Sequence, residues 1–177
     1  RRQQQQQDGA NHLDPVVLCN NPSTGGDPLW DLVRESCART AEREPCLAPS
    51  LQRSVLEQTS LEASLAHVLS HRLASCEVPA AVWHGAICDV LLTHLRPRVS
   101  DGRIGAAPRV VPVEGCHRLP DLVREDLRCI NERDPACLDE AHALLHFKGF
   151  QCLQAHRVAH VLWHRGRKRI AVAFQSR

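Results

Sequence analysis

Apolar residues recur at three- and four-residue intervals through most of the chain and almost never alternate. A stripe at that period is buried by an α-helix, whereas a half-buried strand needs strict alternation. The one alternating stretch, Arg109-Val110-Val111-Pro112-Val113, is spoiled by its proline, which cannot donate to a ladder. The spacing therefore predicts an all-α fold. Asp27-Pro28 reads as a helix start, an acid at the cap followed by proline at the first helical position, with Leu29, Trp30, Leu32, Val33 and Cys37 behind it. A second helix is expected from about Pro49 through Val55 and Leu56. A third opens at Ser60, with Leu61, Leu65, Val68, Leu69 and Leu73 on one stripe, and a fourth runs from Pro79 to about Leu95. The pattern resumes at Leu119-Pro120-Asp121 and breaks at Arg133-Asp134-Pro135-Ala136. It continues near Leu138–Phe147 and from about Gly149 to His164, and closes over Ile170–Phe174 after Gly166.

The core of such a chain must be built from Leu, Val and Ala, because aromatics are 3% of it and Tyr and Met are absent. Lys and Arg number 22 against 20 acids, so charge offers no argument for nucleic acid or an anionic membrane surface. The basic run Arg165–Arg169 is short and reads as a solvated helix terminus. No apolar run reaches the roughly 20 residues that span a bilayer. Nine scattered cysteines without a Cys-x-x-Cys pair argue for reduced, mostly buried thiols rather than a disulfide framework. The sequence starts at Arg1 rather than Met, which leaves an upstream targeting segment open.

Two stretches fall outside the helical pattern. Residues 1–26 hold the run Gln3–Gln7 and an Asn/Pro/Ser/Gly-rich stretch, too polar to offset ordering entropy, and are expected to be a disordered tail. Residues 96–118 hold three prolines and three glycines with no apolar face and read as a long loop. The helical domain is accordingly assigned to residues 27–177.

Few constellations suggest chemistry. His156, His160 and His164 recur every four residues along one face, and His142 and His146 form a similar pair. Arg157 stands where a zinc-binding helix of the two-histidine type would need its glutamate, and no further ligands are evident, so no metal is assigned. No nucleophile elbow and no phosphate loop is present. Asp134 is the exception. It precedes proline at a helix break, where a carboxylate either caps the next helix or points outward to hold an ammonium group. Residue chemistry alone favours the cap.

The run Glu132-Arg133-Asp134-Pro135-Ala136-Cys137, followed by Leu145-His146-Phe147-Lys148-Gly149-Phe150, resembles a signature of serine acetyltransferases. Gln154-Ala155-His156-Arg157-Val158-Ala159-His160, Leu162-Trp163, Gly166-Arg167-Lys168 and Gln175-Ser176-Arg177 resemble the stretch that follows it. Asp27-Pro28-Leu29-Trp30 and Arg43-Glu44-Pro45 resemble the family's opening helix and turn. The likeness covers roughly residues 27–95 and 119–177 and is closest to plant members. Against it, residues 96–118 replace a short turn and read as a lineage-specific insertion or a retained intron.

The resemblance implies the helical N-terminal domain of an enzyme that transfers acetyl from acetyl-CoA to L-serine, giving O-acetylserine for cysteine synthesis. It implies that Asp134 helps hold the amino group of serine, a position shared with inhibitory cysteine. In the family a C-terminal left-handed parallel β-helix carries the catalytic His–Asp pair and the acetyl-CoA site, so no catalytic residue and no bound cofactor is expected within these 177 residues. Expected partners are further copies of the chain, as a dimer of trimers, and O-acetylserine sulfhydrylase, through a C-terminal tail that has no counterpart here. No nucleic-acid or membrane partner is expected. The cytosol is the expected compartment, with plastid and mitochondrion open. A non-catalytic assembly or regulatory subunit is the alternative reading.

Overall fold

The computed structural model describes residues 26–92 and 119–177. The expected tail at 1–26, save Gly26, and the expected insertion at 96–118 lie outside them. The described residues form eight α-helices and no strand: α1 (Pro28–Arg43), α2 (Ala48–Leu51), α3 (Leu61–Leu73), α4 (Ala80–Leu91), α5 (Leu119–Arg133), α6 (Glu140–His146), α7 (Lys148–His164) and α8 (Lys168–Gln175). The second predicted helix is a single α-turn that widens into a π-turn over Gln52–Leu56.

Each start has a chemical cause. Asp27 Oδ1 accepts from the amides of Leu29 and Trp30, and Ser60 Oγ accepts from Ala63, so both supply acceptors to the unpaired N–H groups of a first turn. Glu62, two residues after Ser60, turns its carboxylate inward to Arg124 of α5 at 2.6 Å. The sixth helix starts at Glu140 rather than near Leu138, because Asp139 supplies the cap. α7 stops at His164, and Gly166, with a φ of 79°, closes the turn behind it with Arg167 N donating to Leu162 O at 2.9 Å.

The stripes meet in one core. Val33 from α1, Val55, Leu65 and Leu69 from α3, Ile87 from α4, Leu127 from α5, Leu144 from α6 and Val158 and Leu162 from α7 are fully or almost fully buried in it. Each such aliphatic side chain contributes roughly 1.5–3 kcal/mol on burial. α8 closes the far end, with Phe174 edge-on to Trp83 of α4 at 4.8 Å between ring centroids.

Two ion clusters lock the order of the helices. Arg124 of α5 binds Asp27 at the head of α1 and Glu62 in the first turn of α3, both at 2.6 Å. Burial opposes its charge, but the hydrogen bonds and charges of Glu62 and then Asp27 win, pushing the guanidinium's pKa up. Arg157 of α7 binds Asp126 of α5, which also accepts from Gln154 at 2.7 Å. The basic run between α7 and α8 is not wholly solvated: Arg167 reaches Asp89 of α4 at 3.0 Å, and Lys168 lies over the Trp163 ring at 5.2 Å.

One expectation is corrected. Among the described residues the cysteines are free thiols, but only Cys37 is buried; Cys46, Cys76 and Cys152 are exposed. Cys46 and Cys76 fall in the turns after α1 and α3, and Cys152 on the outer face of α7, where small size gives no reason to be inside.

Candidate functional site

Asp134 sits in the turn between α5 and α6. Proline at 135 keeps Asp134 from continuing the helix, while its own amide still donates to Ile130 O at 2.9 Å, so the residue is the last one held by α5. Its carbonyl accepts from Cys137 N at 2.9 Å, and its Oδ1 accepts from Ala136 N at 2.9 Å. These bonds fold residues 134–137 into an aspartate-closed turn and fix the direction of the carboxylate. The side chain is exposed, and Oδ2 has no protein partner among the described residues.

The cap of the next helix is therefore not Asp134. Asp139 does that work: its Oδ1 accepts from His142 N at 2.7 Å and its Oδ2 accepts the Ser36 hydroxyl of α1 at 2.5 Å. Sequence reasoning passed over Asp139, although an acid directly ahead of Glu140, Ala141 and Leu144 is an N-cap signal. The contact to Ser36, 103 residues away, had no sequence signal at all.

The turn is electronegative. Residues 132–140 carry four carboxylates, Glu132, Asp134, Asp139 and Glu140, against one guanidinium, Arg133. The Cys137 thiol is pushed up chiefly by burial, with the charges of Asp139, Asp134 and Glu140 acting in the same direction. Such a field attracts a cation, and a fixed carboxylate with one oxygen toward solvent can accept a hydrogen bond from an ammonium group.

The histidines do not join this turn as a unit. His142 Nδ1 accepts from Leu138 N at 3.2 Å, so its ring braces the turn from α6. His160 and His164 stand ring to ring on the exposed face of α7, with Nε2 atoms 3.1 Å apart, and His156 lies one turn earlier. No three metal-ligating side chains converge among the described residues. A groove of about 450 Å³ runs between α3, α7 and α8 over Leu69, Ala159 and Phe174, with Arg72, Lys148 and His156 on its walls. It includes no residue of the Asp134 turn.

Comparison with known proteins follows the same residues. A profile described as serine acetyltransferase, N-terminal, matches residues 29–155, from α1 into α7. Serine acetyltransferase 4 of Arabidopsis thaliana is 37% identical over 164 residues, covering 93% of this chain and 40% of that protein. Probable serine acetyltransferase 2 of Oryza sativa subsp. japonica is 35% identical over 152 residues, covering 86% of this chain and 37% of that protein. Among solved structures, soybean serine acetyltransferase complexed with serine superposes with a TM-score of 0.68 at 32% identity, covering 84% of this chain and 52% of that one. The enzyme from Neisseria gonorrhoeae gives 0.69 at 33% identity, covering 84% and 50%. The chain thus spans roughly two fifths of the length of the curated relatives it matches.

Proposed function

The chain belongs to the serine acetyltransferase family, and on that footing we propose that it works as the helical N-terminal part of an enzyme acetylating L-serine with acetyl-CoA for cysteine synthesis. Its own contribution is twofold. It presents Asp134 to the ammonium group of serine, and it builds the contacts through which copies assemble. The thioester chemistry belongs to a β-helical part of the kind the family carries, where a histidine takes the proton from the serine hydroxyl as that oxygen attacks the acetyl carbon.

The observation that carries this reading is the exposed Asp134 carboxylate, whose Oδ1 accepts from Ala136 N while the residue's own amide donates to Ile130 O, leaving Oδ2 toward solvent inside the matched region. A charge-assisted hydrogen bond to an ammonium contributes roughly 1.5–3 kcal/mol, or about ten- to a hundredfold in affinity. Relatives support the ligand classes: the soybean and Neisseria gonorrhoeae enzymes have been solved in complex with serine, and that of Brucella abortus in complex with coenzyme A.

The partners we propose are further copies, assembled as a dimer of trimers, and O-acetylserine sulfhydrylase through a C-terminal tail. Exposed Leu138, Leu153, Trp163 and Val172 supply apolar surface suited to self-assembly. The same surface favours the second reading, a non-catalytic subunit that joins complete copies and lowers their activity. The compartment we propose is the cytosol; two relatives are named mitochondrial and chloroplastic, and no helix among the described residues is long and apolar enough to cross a membrane.

The test is a chimera in which residues 1–177 replace the matching part of Arabidopsis serine acetyltransferase 4. It is expected to acetylate serine, and Asp134→Asn to raise the serine KM at least about tenfold, with the acetyl-CoA KM unchanged. An Asp134→Asn chimera with unaltered serine KM removes the substrate role. Co-expression of the chain with a complete enzyme tests the subunit reading, which fails if the chain never enters the oligomer.

A further inference from the structure

A side-chain hydrogen bond ties the turn that presents Asp134 to α1, far away in the chain. Ser36, 4% exposed in the middle of α1, donates its hydroxyl to Asp139 Oδ2 at 2.5 Å. The other oxygen of that carboxylate caps α6 through His142 N at 2.7 Å, and the Asp139 carbonyl accepts the Cys137 thiol at 3.2 Å. The same short segment begins at Asp134, whose carbonyl takes Cys137 N at 2.9 Å. Residues 134–139 are thus clamped at one end by α5 and at the other by α1, with Cys137 bonded to both clamps. The Asp139 charge reaches into the α1 interface: the neighbouring Cys37 thiol is pushed up to about 11, by burial first and by Asp139 second.

We infer that Ser36 and Asp139 are a positioning pair for substrate binding, holding the α5–α6 turn at the height where Asp134 meets the serine ammonium. Neither residue touches substrate. Without the Ser36 hydroxyl, Oδ2 of Asp139 loses its donor and the carboxylate must swing toward water or a competing amide. Its cap on α6 through His142 N weakens with it, which loosens the backbone of Asp139, whose carbonyl accepts the Cys137 thiol. A binding group has to be held within about 0.5 Å, and a displacement of about 1 Å costs up to a hundredfold. The inference rests on Asp134 being the ammonium ligand, and the experiment separates the two.

Two measurements test it. In the 177-residue chain, Ser36→Ala is expected to speed hydrogen exchange of the Ala136 and Cys137 amides about tenfold, leaving Leu65 and Leu69 amides in α3 unchanged. In the chimera, Ser36→Ala is expected to raise the serine KM about tenfold, with kcat and the acetyl-CoA KM within about twofold, and Ser36→Thr to restore it. Uniform acceleration of exchange, or none at the turn, overturns the pair's role even where a chimera proves inactive. A serine KM raised by Asp134→Asn but untouched by Ser36→Ala overturns the inference alone. A serine KM indifferent to Asp134→Asn removes the underlying reading and the inference together.

Discussion

Arg124→Ala is the substitution whose outcome the structure fixes most tightly. The guanidinium makes four hydrogen bonds: Nε and Nη2 to Asp27 Oδ2 at 3.0 and 2.6 Å, and Nη1 to Glu62 Oε1 at 2.6 Å and Pro120 O at 3.0 Å. Its side chain is 21% exposed and those of its partners 25% and 10%, so water screens the cluster only in part. Alanine leaves two carboxylates facing each other at the head of α1 and the first turn of α3 without their shared cation. Breaking a fully buried pair costs about 3–5 kcal/mol, and partial exposure discounts that to about 2–3 kcal/mol. Urea unfolding followed by circular dichroism reads the difference directly. Arg124→Lys should recover about half, since an ammonium cannot serve both carboxylates through a fork. Combining Arg124→Ala with Glu62→Gln should cost clearly less than the sum of the single changes, because the uncompensated charge is gone. A loss below about 0.5 kcal/mol for Arg124→Ala, or strict additivity, would refute the claim that this cluster locks α1, α3 and α5 together.

Gly166→Ala places a Cβ at a φ of 79° and should cost about 1–2 kcal/mol, read as a lowered Tm; an unchanged Tm would mean that the α7–α8 turn relaxes. Alkylation at pH 8 followed by peptide mapping should label Cys46, Cys76 and Cys152 and spare Cys37, whose thiol is buried and pushed up to about 11. His67 and His84 have lowered pKa values, through burial first and then through His71, and His146 through burial and then His142. Because the unfolded chain takes up those protons first, stability should be complete above about pH 6.5 and fall as pH drops toward the folded values. His67→Gln with His84→Gln should flatten that fall in urea titrations, and an equally steep slope would remove these histidines from the account. Trp83→Phe deletes an indole N–H that is buried without an acceptor among the described residues, so it should cost less than about 1.5 kcal/mol, while Trp83→Ala should cost about 3–5 kcal/mol.

What the sequence alone determined were the local facts. Asp27 and Ser60 could be read as helix starts because an N-cap acts within three residues, and Gly166 as a stop because a left-handed turn is a single-residue property. The stripe Leu61, Leu65, Val68, Leu69 and Leu73 on α3 is buried as its period required, since helical periodicity is written in the chain itself, whereas the burial of Ala63, Ser64, Ala66 and Ser70 beside it came only from the surrounding helices. The residues around Asp134 could be tied to a family, yet their chemistry stayed ambiguous between cap and ligand. The structure gives the cap to Asp139 through His142 N, a local signal the spacing already carried, and only the Ser36 hydroxyl on its other oxygen, 103 residues earlier on α1, is a tertiary matter. Tertiary structure likewise turned Glu62 away from its own helix terminus to Arg124, and left Cys46, Cys76 and Cys152 exposed where their apolar character had suggested burial. Caps, stripes and turns come from interactions between near neighbours in the chain. Ion clusters and burial depend on which surfaces meet, and no local spacing encodes that.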